Sequence, residues 1–443
     1  MVNTRQTATE AQTEVGNYFV ANYPPFSVWT QETVKRDAVP ALGQRPTGGP
    51  LGLYLHIPFC RKRCHFCYYR VYTDKNASEV AEYLDVLAQE WELYATQTAV
   101  TGRPLRFVYF GGGTPSFLSV RQLHGLVKRL SQVAPWTDAE EITFECEPGT
   151  LTEKKLAAIR EMGVTRLSLG IEHFDDQILE LNGRAHRSTE VFRSYNFAQS
   201  LDFPQVNIDL IAGMLGDTDK KWRAAVARTI ELSPDSVTIY QMELPFNTTI
   251  SADLLEGTNI FSNSVVGWPT KRRWVQEAFE ALELAGYTVS SAYTAVKHPE
   301  TTQFVYRDQL WGGADLVGLG VASFGHLNGV HVQNLDTWGS YAGTVRNGEL
   351  PLSRAYQPTK EERLIRELVL QMKLGKISPV YFEVKYGVDV LGRFAAALAS
   401  LREDGYLEAA NTSHIKLTRD GLLRIDSLLP RFFLPKHTNL RYT

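Results

Sequence analysis

From residue 51 onward, short apolar runs alternate with longer stretches in which apolar residues recur with helical spacing. The runs have the length and the branched or aromatic content of buried strands, and the stretches have the period of amphipathic helices. The predicted strands are Leu51–Ile57, Phe107–Phe110, Ile142–Cys146, Arg166–Ile171, Val206–Ala212 and Ser236–Tyr240. The clearest predicted helices between them are Ser78–Tyr94, Val120–Val133 and Thr152–Met162.

A strand followed by a helix, repeated six times, is typical of parallel strands joined by right-handed crossovers. The pattern predicts an α/β fold with a partial (β/α)6 barrel, and a doubly wound sheet is the alternative. In both architectures the chemistry lies at the C-terminal ends of the strands. Residues that are unusual in a core fall at those ends: Cys60, Gly111–Gly113, Glu145, Glu172 and Asp209.

The same pattern divides the chain into four regions. Residues 1–48 are rich in proline and aromatic residues, and they are interpreted as a leader that is either a surface strap or a flap over a site. The barrel is predicted at 49–290, and a Gly-rich barrel extension that contributes to the substrate site at 291–358. Residues 359–443 combine two helical patterns with a short strand pair, which predicts a winged-helix-like C-terminal domain.

Composition and charge argue against two classes of partner, nucleic acids and membranes. The 443 residues carry a net charge of −3 and show no basic stripe, so no nucleic-acid partner is expected, even for the winged-helix-like domain. No apolar run has the roughly 18 to 20 residues of a membrane-spanning helix, and the N-terminus is too polar for a signal peptide. We expect a cytoplasmic protein with no membrane partner, and nothing in the sequence requires more than a monomer.

Three of the four cysteines, Cys60, Cys64 and Cys67, follow the first predicted strand with the spacing C-x3-C-x2-C. Three thiolates can hold three corners of a [4Fe–4S] cluster and leave the fourth iron open to a chelating ligand. A zinc site completed by His56 or His65 is the alternative, although it lacks a distant second pair of ligands. The fourth cysteine, Cys146, is interpreted as a core thiol.

These cysteines and the segments after them resemble the radical S-adenosylmethionine (SAM) superfamily, and in particular the oxygen-independent coproporphyrinogen III oxidases and their relatives. The resemblance spans roughly residues 51 to 420, and its motifs keep their order. They are Tyr54–Cys60 (YLHIPFC), Phe110–Pro115 (FGGGTP), Phe144–Thr150 (FECEPGT), Arg166–Gly170 (RLSLG), Phe174–Asp176 (FDD), Asn182–His186 (NGRAH), Asn207–Ile211 (NIDLI) and Gly318–Val321 (GLGV).

The resemblance implies an enzyme that uses a [4Fe–4S] cluster and two SAM molecules, acts on a small-molecule substrate, and takes electrons from a donor such as flavodoxin or ferredoxin. It assigns the first SAM to three residues, Tyr54, Gly112 and Glu145. It assigns the second SAM to six residues: Phe66, Gly113, Thr114, Glu172, Arg184 and Asp209. Two further pocket positions are Met242 and Phe324.

Two positions depart from the porphyrinogen oxidases. Those enzymes carry a fourth cysteine where this chain has Tyr69, and a glutamine where it has Glu172; a further acid, Glu243, follows the sixth strand. The sequence therefore leads us to expect that a second SAM methylates or cyclopropanates an sp2 carbon of a secondary metabolite, with Glu172 or Glu243 moving a proton. Oxidative decarboxylation of coproporphyrinogen III and non-catalytic heme trafficking are the alternatives.

Overall fold

A twelve-stranded sheet forms the centre of the computed structural model, which describes residues 14–16, 18–256, 265–438 and 440. Six of its strands pair in sequence order with parallel register and form a partial barrel, which confirms the predicted fold class. These strands are β1 (Leu51–Ile57), β2 (Leu105–Gly112), β3 (Glu141–Cys146), β4 (Arg166–Glu172), β5 (Gln205–Ala212) and β6 (Ser236–Gln241).

The barrel strands have one apolar and one polar face. In β4, Leu167, Leu169 and Ile171 are fully buried in the main hydrophobic core, whereas the alternating Ser168 and Gly170 line the barrel interior. Because side chains alternate along a strand, this sequence places its apolar residues against the helices and its polar residues inside the barrel. The interior is therefore chemically active surface and not a packed apolar core.

Amphipathic helices connect these strands and cover the outer face of the barrel. Several begin at capping residues; Asn76 and Ser119, for example, start helices with complete capping boxes. The helices between β1 and β6 are Ala77–Ala95, Val120–Val133, Glu153–Glu161, Asp176–Leu181, Ser188–Gln199 and Asp219–Leu232. Thr249–Glu256 and Trp268–Leu284 follow β6.

The sheet extends beyond the barrel on both sides. At the β6 edge are the antiparallel strands β7 (Thr288–Val289) and β8 (Thr294–Val296). At the β1 edge, β9 (Asp315–Leu319) runs parallel to β1, and β10 (Phe324–Leu327), β11 (Val330–Asn334) and β12 (Leu352–Tyr356) continue as an antiparallel meander. Helices Val305–Trp311 and Trp338–Arg346 lie between them in sequence.

The strands at the β1 edge lie within residues 291–358, which the sequence shows only as a Gly-rich segment. Its glycines allow close approach of two strands: a Cβ atom on Gly318 would lie 2.0 Å from the carbonyl oxygen of Phe324. Glycine is thus required here for packing between β9 and β10, although it lowers the intrinsic strand propensity that sequence analysis depends on.

The C-terminal region is mainly helical and has its own hydrophobic cluster. A small three-stranded sheet contains β13 (Lys376–Ile377), β14 (Leu407–Ala410) and β15 (Ile415–Leu417). Its helices are Lys360–Met372, Pro379–Tyr386, Val390–Arg393, Ala395–Glu403, Arg419–Leu423 and Ile425–Leu428. The four domain boundaries drawn from the sequence stay predictions.

Residues 18–26 form an extended segment, here called the strap, which connects the barrel to the C-terminal region. Tyr23 is fully buried in the C-terminal cluster, and short helical turns follow at Gln31–Thr33 and Val39–Leu42. The first 13 residues of the leader predicted at 1–48 lie outside the described residues. Within the described part of the chain, no helix has the length and apolarity needed to cross a membrane.

Candidate active site

The three clustered cysteines lie on a loop (residues 58–72, the cysteine loop) that leaves the C-terminal end of β1. The backbone N–H of Cys60 donates to the carbonyl of Tyr72 at 3.1 Å, and that of Tyr72 donates back to Pro58 at 2.7 Å, which closes the base of the loop. The N–H of His65 donates to the carbonyl of Asn182 at 3.0 Å and fixes the far side. The loop conformation thus depends on backbone hydrogen bonds that hold all three thiols on one side.

The thiols receive donors suited to thiolates. Arg184 Nη1 lies 3.4 Å from the Sγ of Cys64, and the hydroxyl of Thr114 donates to the Sγ of Cys60 at 3.3 Å. Burial raises the pKa of the Cys60 thiol to about 12 and that of Cys67 to about 11, so a metal that displaces the protons is needed to keep them ionised.

This donor set fits a [4Fe–4S] cluster better than a single zinc ion. No three His, Cys, Asp or Glu side chains among the described residues converge on one ion. His56, a suggested zinc ligand, is buried and its Nε2 hydrogen-bonds the carbonyl of Arg70 at 3.3 Å, and His65 Nδ1 lies 3.0 Å from the carbonyl of Leu181. Neither imidazole adds a fourth ligand to the three sulfurs, which leaves the three-thiolate arrangement that a cluster with one open iron requires.

Two glycines at the C-terminal end of β2, Gly112 and Gly113, let the backbone approach β1 closely. Gly112 has a φ of 107°, and a Cβ atom there would lie 2.5 Å from the His56 ring. A Cβ on Gly113 would lie 2.8 Å from the carbonyl oxygen of Ile57. Any side chain at either position would push β2 away from the cysteine loop.

Three carboxylates lie on the interior strand ends beneath the loop. Glu145 accepts hydrogen bonds from the Tyr109 hydroxyl at 2.6 Å and from the Gly112 N–H at 3.3 Å. Asp209 accepts from Ser168 at 2.9 Å. Burial raises the pKa of Glu145 and of Glu172 to about 7 and also raises that of Asp209. An acidic floor of this kind is suited to a positively charged ligand.

Arg184 joins this acidic floor to the cysteine loop. Its guanidinium contacts Cys64, hydrogen-bonds the carbonyl of Gly170, and lies 3.8 Å from the carboxylate of Glu172. Glu172 itself has a φ of 66° and follows a register shift in the pairing of β4 with β5. Non-glycine residues rarely adopt this conformation, and here it aims a carboxylate into the barrel.

The three cysteines, Arg184 and the three carboxylates line one cavity of about 1100 Å³, which extends from the cysteine loop to the C-terminal region. Its rim carries four cationic side chains: Lys62, Arg272, Arg424 and Arg431. Lys62 stands beside the cysteines in the sequence, whereas the other three could not be assigned to this site from the sequence. The four side chains come from the cysteine loop, the helix after β6 and the C-terminal region, so only the three-dimensional structure brings them together. The cavity therefore has an acidic floor and a basic rim.

The strap closes one side of the cavity, to which Tyr18 and Phe19 contribute their rings. The N–H of Tyr18 donates to Glu243 Oε2 at 3.2 Å, and the N–H of Val20 donates to Asp426 Oδ1 at 2.8 Å. Glu243, suggested by the sequence as a proton-transfer group, thus holds the strap, and burial raises its pKa to about 7. The aromatic leader forms part of the cavity wall.

Most of the residues selected from the sequence line this cavity, and two do not. The lining includes Cys60, Cys64, Cys67, Phe66, Tyr69, Gly112, Gly113, Thr114, Glu145, Glu172, Arg184, Asp209, Met242 and Glu243. Tyr54 lies in the barrel interior outside the lining, where its ring stacks 5.7 Å from Tyr109. Phe324 packs 4.3 Å from Phe26 at the β1 edge, because β9 turns directly into β10 there. The roles given to the lining residues stay predictions.

Comparisons with known proteins agree with this geometry. The radical SAM superfamily model matches residues 54–228. The chain is 29% identical over 376 residues to the heme chaperone HemW of Bacillus subtilis, covering 84% of this chain and 96% of that protein. It is 26% identical over 418 residues to the oxygen-independent coproporphyrinogen III oxidase of Pseudomonas aeruginosa, covering 90% and 89%.

The fold agrees with a solved structure. The coproporphyrinogen III oxidase of Escherichia coli superposes with a TM-score of 0.82 at 24% identity, covering 95% of this chain and 99% of that one. At this identity the likeness shows the fold.

The methyl transfer or cyclopropanation expected from the sequence is wrong. The relatives that align over most of the chain are a heme chaperone and coproporphyrinogen III oxidases. The expectation rested on three single-residue differences in the pocket, Tyr69, Glu172 and Glu243. Three substitutions in a lining of this size are a weaker indicator of reaction type than the similarity over the whole chain.

Proposed function

We propose, from the premise that this chain belongs to the radical SAM superfamily, that it removes carboxyl groups oxidatively from a porphyrinogen with propionate side chains. The single observation that carries this is the cavity, with its acidic floor beside the cysteine loop and its basic rim. The full-length similarity to coproporphyrinogen III oxidases supports it.

The acidic floor is suited to SAM. SAM is a sulfonium and carries an amino group, and Glu145, Glu172 and Asp209 place three carboxyl groups close to the thiols, which a bound cation favours in their ionised form. With the cluster bound, the site supplies a 5′-deoxyadenosyl radical that can take a hydrogen atom from a substrate carbon. Arg184 contacts both Cys64 and Glu172, so it would position a cluster ligand relative to the acidic floor that would bind SAM.

The basic rim is suited to the substrate. Guanidinium groups bind carboxylates through paired hydrogen bonds. Arg424 and Arg431 line the cavity with 22% and 29% of their side chains exposed. Each also pairs with a carboxylate of the chain, Asp420 at 2.8 Å and Asp404 at 2.7 Å, so a substrate propionate uses the N–H donors that remain. A propionate that loses a hydrogen atom at its β-carbon and one electron to an external acceptor can release CO2 and become a vinyl group. The aromatic side chains of the strap exclude water from that intermediate.

A direct assay tests this proposal. The reconstituted protein is incubated anaerobically with SAM, coproporphyrinogen III and a partly reduced flavodoxin or ferredoxin, whose reduced form supplies the electron for SAM cleavage and whose oxidised form accepts the electron released with CO2. We expect CO2, 5′-deoxyadenosine and a tetrapyrrole lighter by one CO2 and two hydrogens for each propionate converted. Arg431→Gln should raise KM about tenfold, because it removes a guanidinium group from the rim. It should leave uncoupled SAM cleavage unchanged, because, among the described residues, Arg431 contacts Asp404 and Ser400 and neither the cysteine loop nor the acidic floor. SAM cleavage without CO2 would overturn the proposal.

Heme binding is a second candidate function, favoured by the match that covers 96% of a heme chaperone and by the tyrosine pair at the cavity wall. Tyr68 and Tyr69 stack with ring centroids 4.7 Å apart and are partly exposed. A tyrosinate can ligate ferric heme. Titration with hemin should then give a Soret band that Tyr69→Phe shifts. A band that is identical in wild type and variant would exclude Tyr69 as the ligand.

A further inference from the structure

A second cavity, of about 340 Å³, lies where β4, β5 and β6 begin, at the opposite ends of these strands from the acidic floor. Strand β8 and the segment 299–308 cover it. Two residues, Arg166 and Phe304, line both this cavity and the active-site cavity, so they form the wall between the two. The second cavity contains none of the residues expected to hold the cluster or SAM.

Arg166 is a buried cation without a hydrogen-bonded counter-ion among the described residues. It is 2% exposed, its Nε has no hydrogen-bond partner, and its guanidinium lies 4.0 Å from the centre of the Phe304 ring. Burial raises the pKa of the nearby carboxyl groups of Glu141, Glu145 and Asp209 and the charge of Arg166 counteracts this rise, although each of them accepts hydrogen bonds from other donors. These carboxyl groups compensate part of the buried charge, and the unpartnered Nε leaves a hydrogen-bond donor for one further acceptor.

Arg307 adds a second guanidinium to the same cavity. Its side chain is 11% exposed; its Nε donates to Asp308 at 2.8 Å, while its buried Nη1 has no partner among the described residues. The ring of Phe304 also lies beside it, at 5.7 Å. Two guanidinium groups with unsatisfied nitrogens thus flank one aromatic ring and face one cavity.

The rest of the lining is neutral and rich in hydrogen-bonding groups. These are the side chains of Gln205, Ser236, Ser290, Thr294, Thr302 and Gln303. Asp308 is the one carboxylate in this lining, and it already pairs with Arg307. Gln205, Ser236 and Ser290 already donate hydrogen bonds within the protein. The donors that face a ligand are therefore the hydroxyls of Thr294 and Thr302 and the amide of Gln303. Such donors around two guanidinium groups match the chemistry of carboxylate and phosphate groups.

We propose that this second cavity binds a small oxyanion, a carboxylate or phosphate group, between Arg166 and Arg307. The bound anion compensates the charge of Arg166 and fixes the ring of Phe304. Both residues also form the wall that separates this cavity from the active-site cavity. The anion therefore acts on the reaction through the shared wall and not by contact with the substrate.

Isothermal titration of the reconstituted full-length protein with inorganic phosphate, and separately with acetate, at constant ionic strength tests this. We expect saturable binding of at least one of the two, and the arm that binds identifies the preferred anion. Arg307→Gln should weaken it at least about tenfold, because a charged hydrogen-bond donor is lost. Arg431→Gln, which lies on the active-site cavity alone, should leave the affinity unchanged and serves as the matched control.

Arg307→Lys keeps the positive charge without the planar fork, so it should fold if Arg307→Gln does not and should weaken binding by a smaller factor. The absence of saturable heat with both anions would overturn the proposal. Equal affinity in wild type and both Arg307 variants, or a loss caused by Arg431→Gln instead, would also overturn it by placing the anion in the active-site cavity. These readouts do not depend on catalysis, so they are independent of the proposed decarboxylation.

Discussion

The two sides of the active-site cavity are built in opposite ways. The cysteine loop takes its three thiols from eight consecutive residues, and short-range backbone hydrogen bonds close its base, although Asn182 and Arg184 fix its far side. The strap side depends on contacts between residues 225 and 406 positions apart, Tyr18 with Glu243 and Val20 with Asp426. The difference shows that the thiols of the cysteine loop come from one short segment of the chain, whereas the wall at the strap side is assembled entirely from distant segments.

The largest expected effect is on the cysteine loop. Cys64→Ala removes one of the three thiolates, and we expect loss of the cluster and no detectable 5′-deoxyadenosine. Cys146→Ala is the matched control, since Cys146 is buried outside the loop and its Sγ faces the carbonyl of Phe144 at 3.9 Å. Iron and sulfide analysis of both variants measures this. Equal iron in wild type and Cys64→Ala would show that the three cysteines do not form the site.

The cysteine loop and the strand ends beside it could be located from the sequence, because the patterns that indicate them are local in the chain. The strand ends that carry Cys60, Glu145 and Glu172 could be predicted because each follows a run of buried apolar residues, and parallel strands bring their C-terminal ends together. The bounds of Leu51–Ile57 and of the helix Val120–Val133 agree with the structure to the residue.

Features that depend on contacts between distant segments could not be predicted from the sequence. Arg424 and Arg431 look like ordinary surface charges in the sequence, and their position on the cavity rim depends on how the C-terminal region packs on the barrel. The proton-transfer role suggested for Glu243 stays a prediction, but the sequence did not show that this acid also accepts the backbone N–H of Tyr18, 225 positions away. Strand β9 was missed because its one glycine, Gly318, which the packing against β10 requires, weakens the strand pattern.

The next largest effect is expected on the strap side. Asp426 pairs with the fully buried Lys373 at 2.7 Å, accepts the N–H of Val20, and accepts the hydroxyl of Tyr293. Asp426→Asn leaves the buried ammonium uncompensated, so we expect the free energy of unfolding to fall by about 3 kcal/mol. Denaturant unfolding measures the loss, and limited proteolysis should cut the strap faster.

Glu231→Gln is the control for this variant, because Glu231 forms an exposed pair with Arg228 on a helix surface. Its effect should stay within about 0.5 kcal/mol. If Asp426→Asn were no less stable than Glu231→Gln, the strap would not be held by this buried pair, and the contrast between the two sides of the cavity would be lost.

A smaller effect is expected where the cysteine loop meets the acidic floor. Arg184→Gln removes the guanidinium that contacts Cys64 and the carbonyl of Gly170, and we expect the rate of 5′-deoxyadenosine formation to fall about 100-fold with the cluster still bound. The control is Arg187→Gln, because Arg187 is 44% exposed and pairs with Glu180. Absorbance at the cluster band separates a slower reaction from loss of the cluster; an unchanged rate would contradict the assignment.

The smallest effect is a pH dependence of stability that arises from Glu172. Burial raises its pKa from 4.5 to about 7 in the folded protein, so the unfolded chain loses this proton at lower pH than the folded one. The stabilisation is complete below pH 4.5 and is lost as the pH rises through 7, a decrease of about 2 kcal/mol between pH 5.5 and 8.

Glu172→Gln cannot titrate, and its stability should fall less with pH than that of the wild type when both are unfolded in denaturant at the two pH values. Glu145 and Glu243 have the same raised pKa and continue to titrate in the variant, so a residual slope is expected. Parallel stability curves for the two proteins would mean that Glu172 is already ionised in the folded state, which would make the acidic floor negatively charged before any cationic ligand binds.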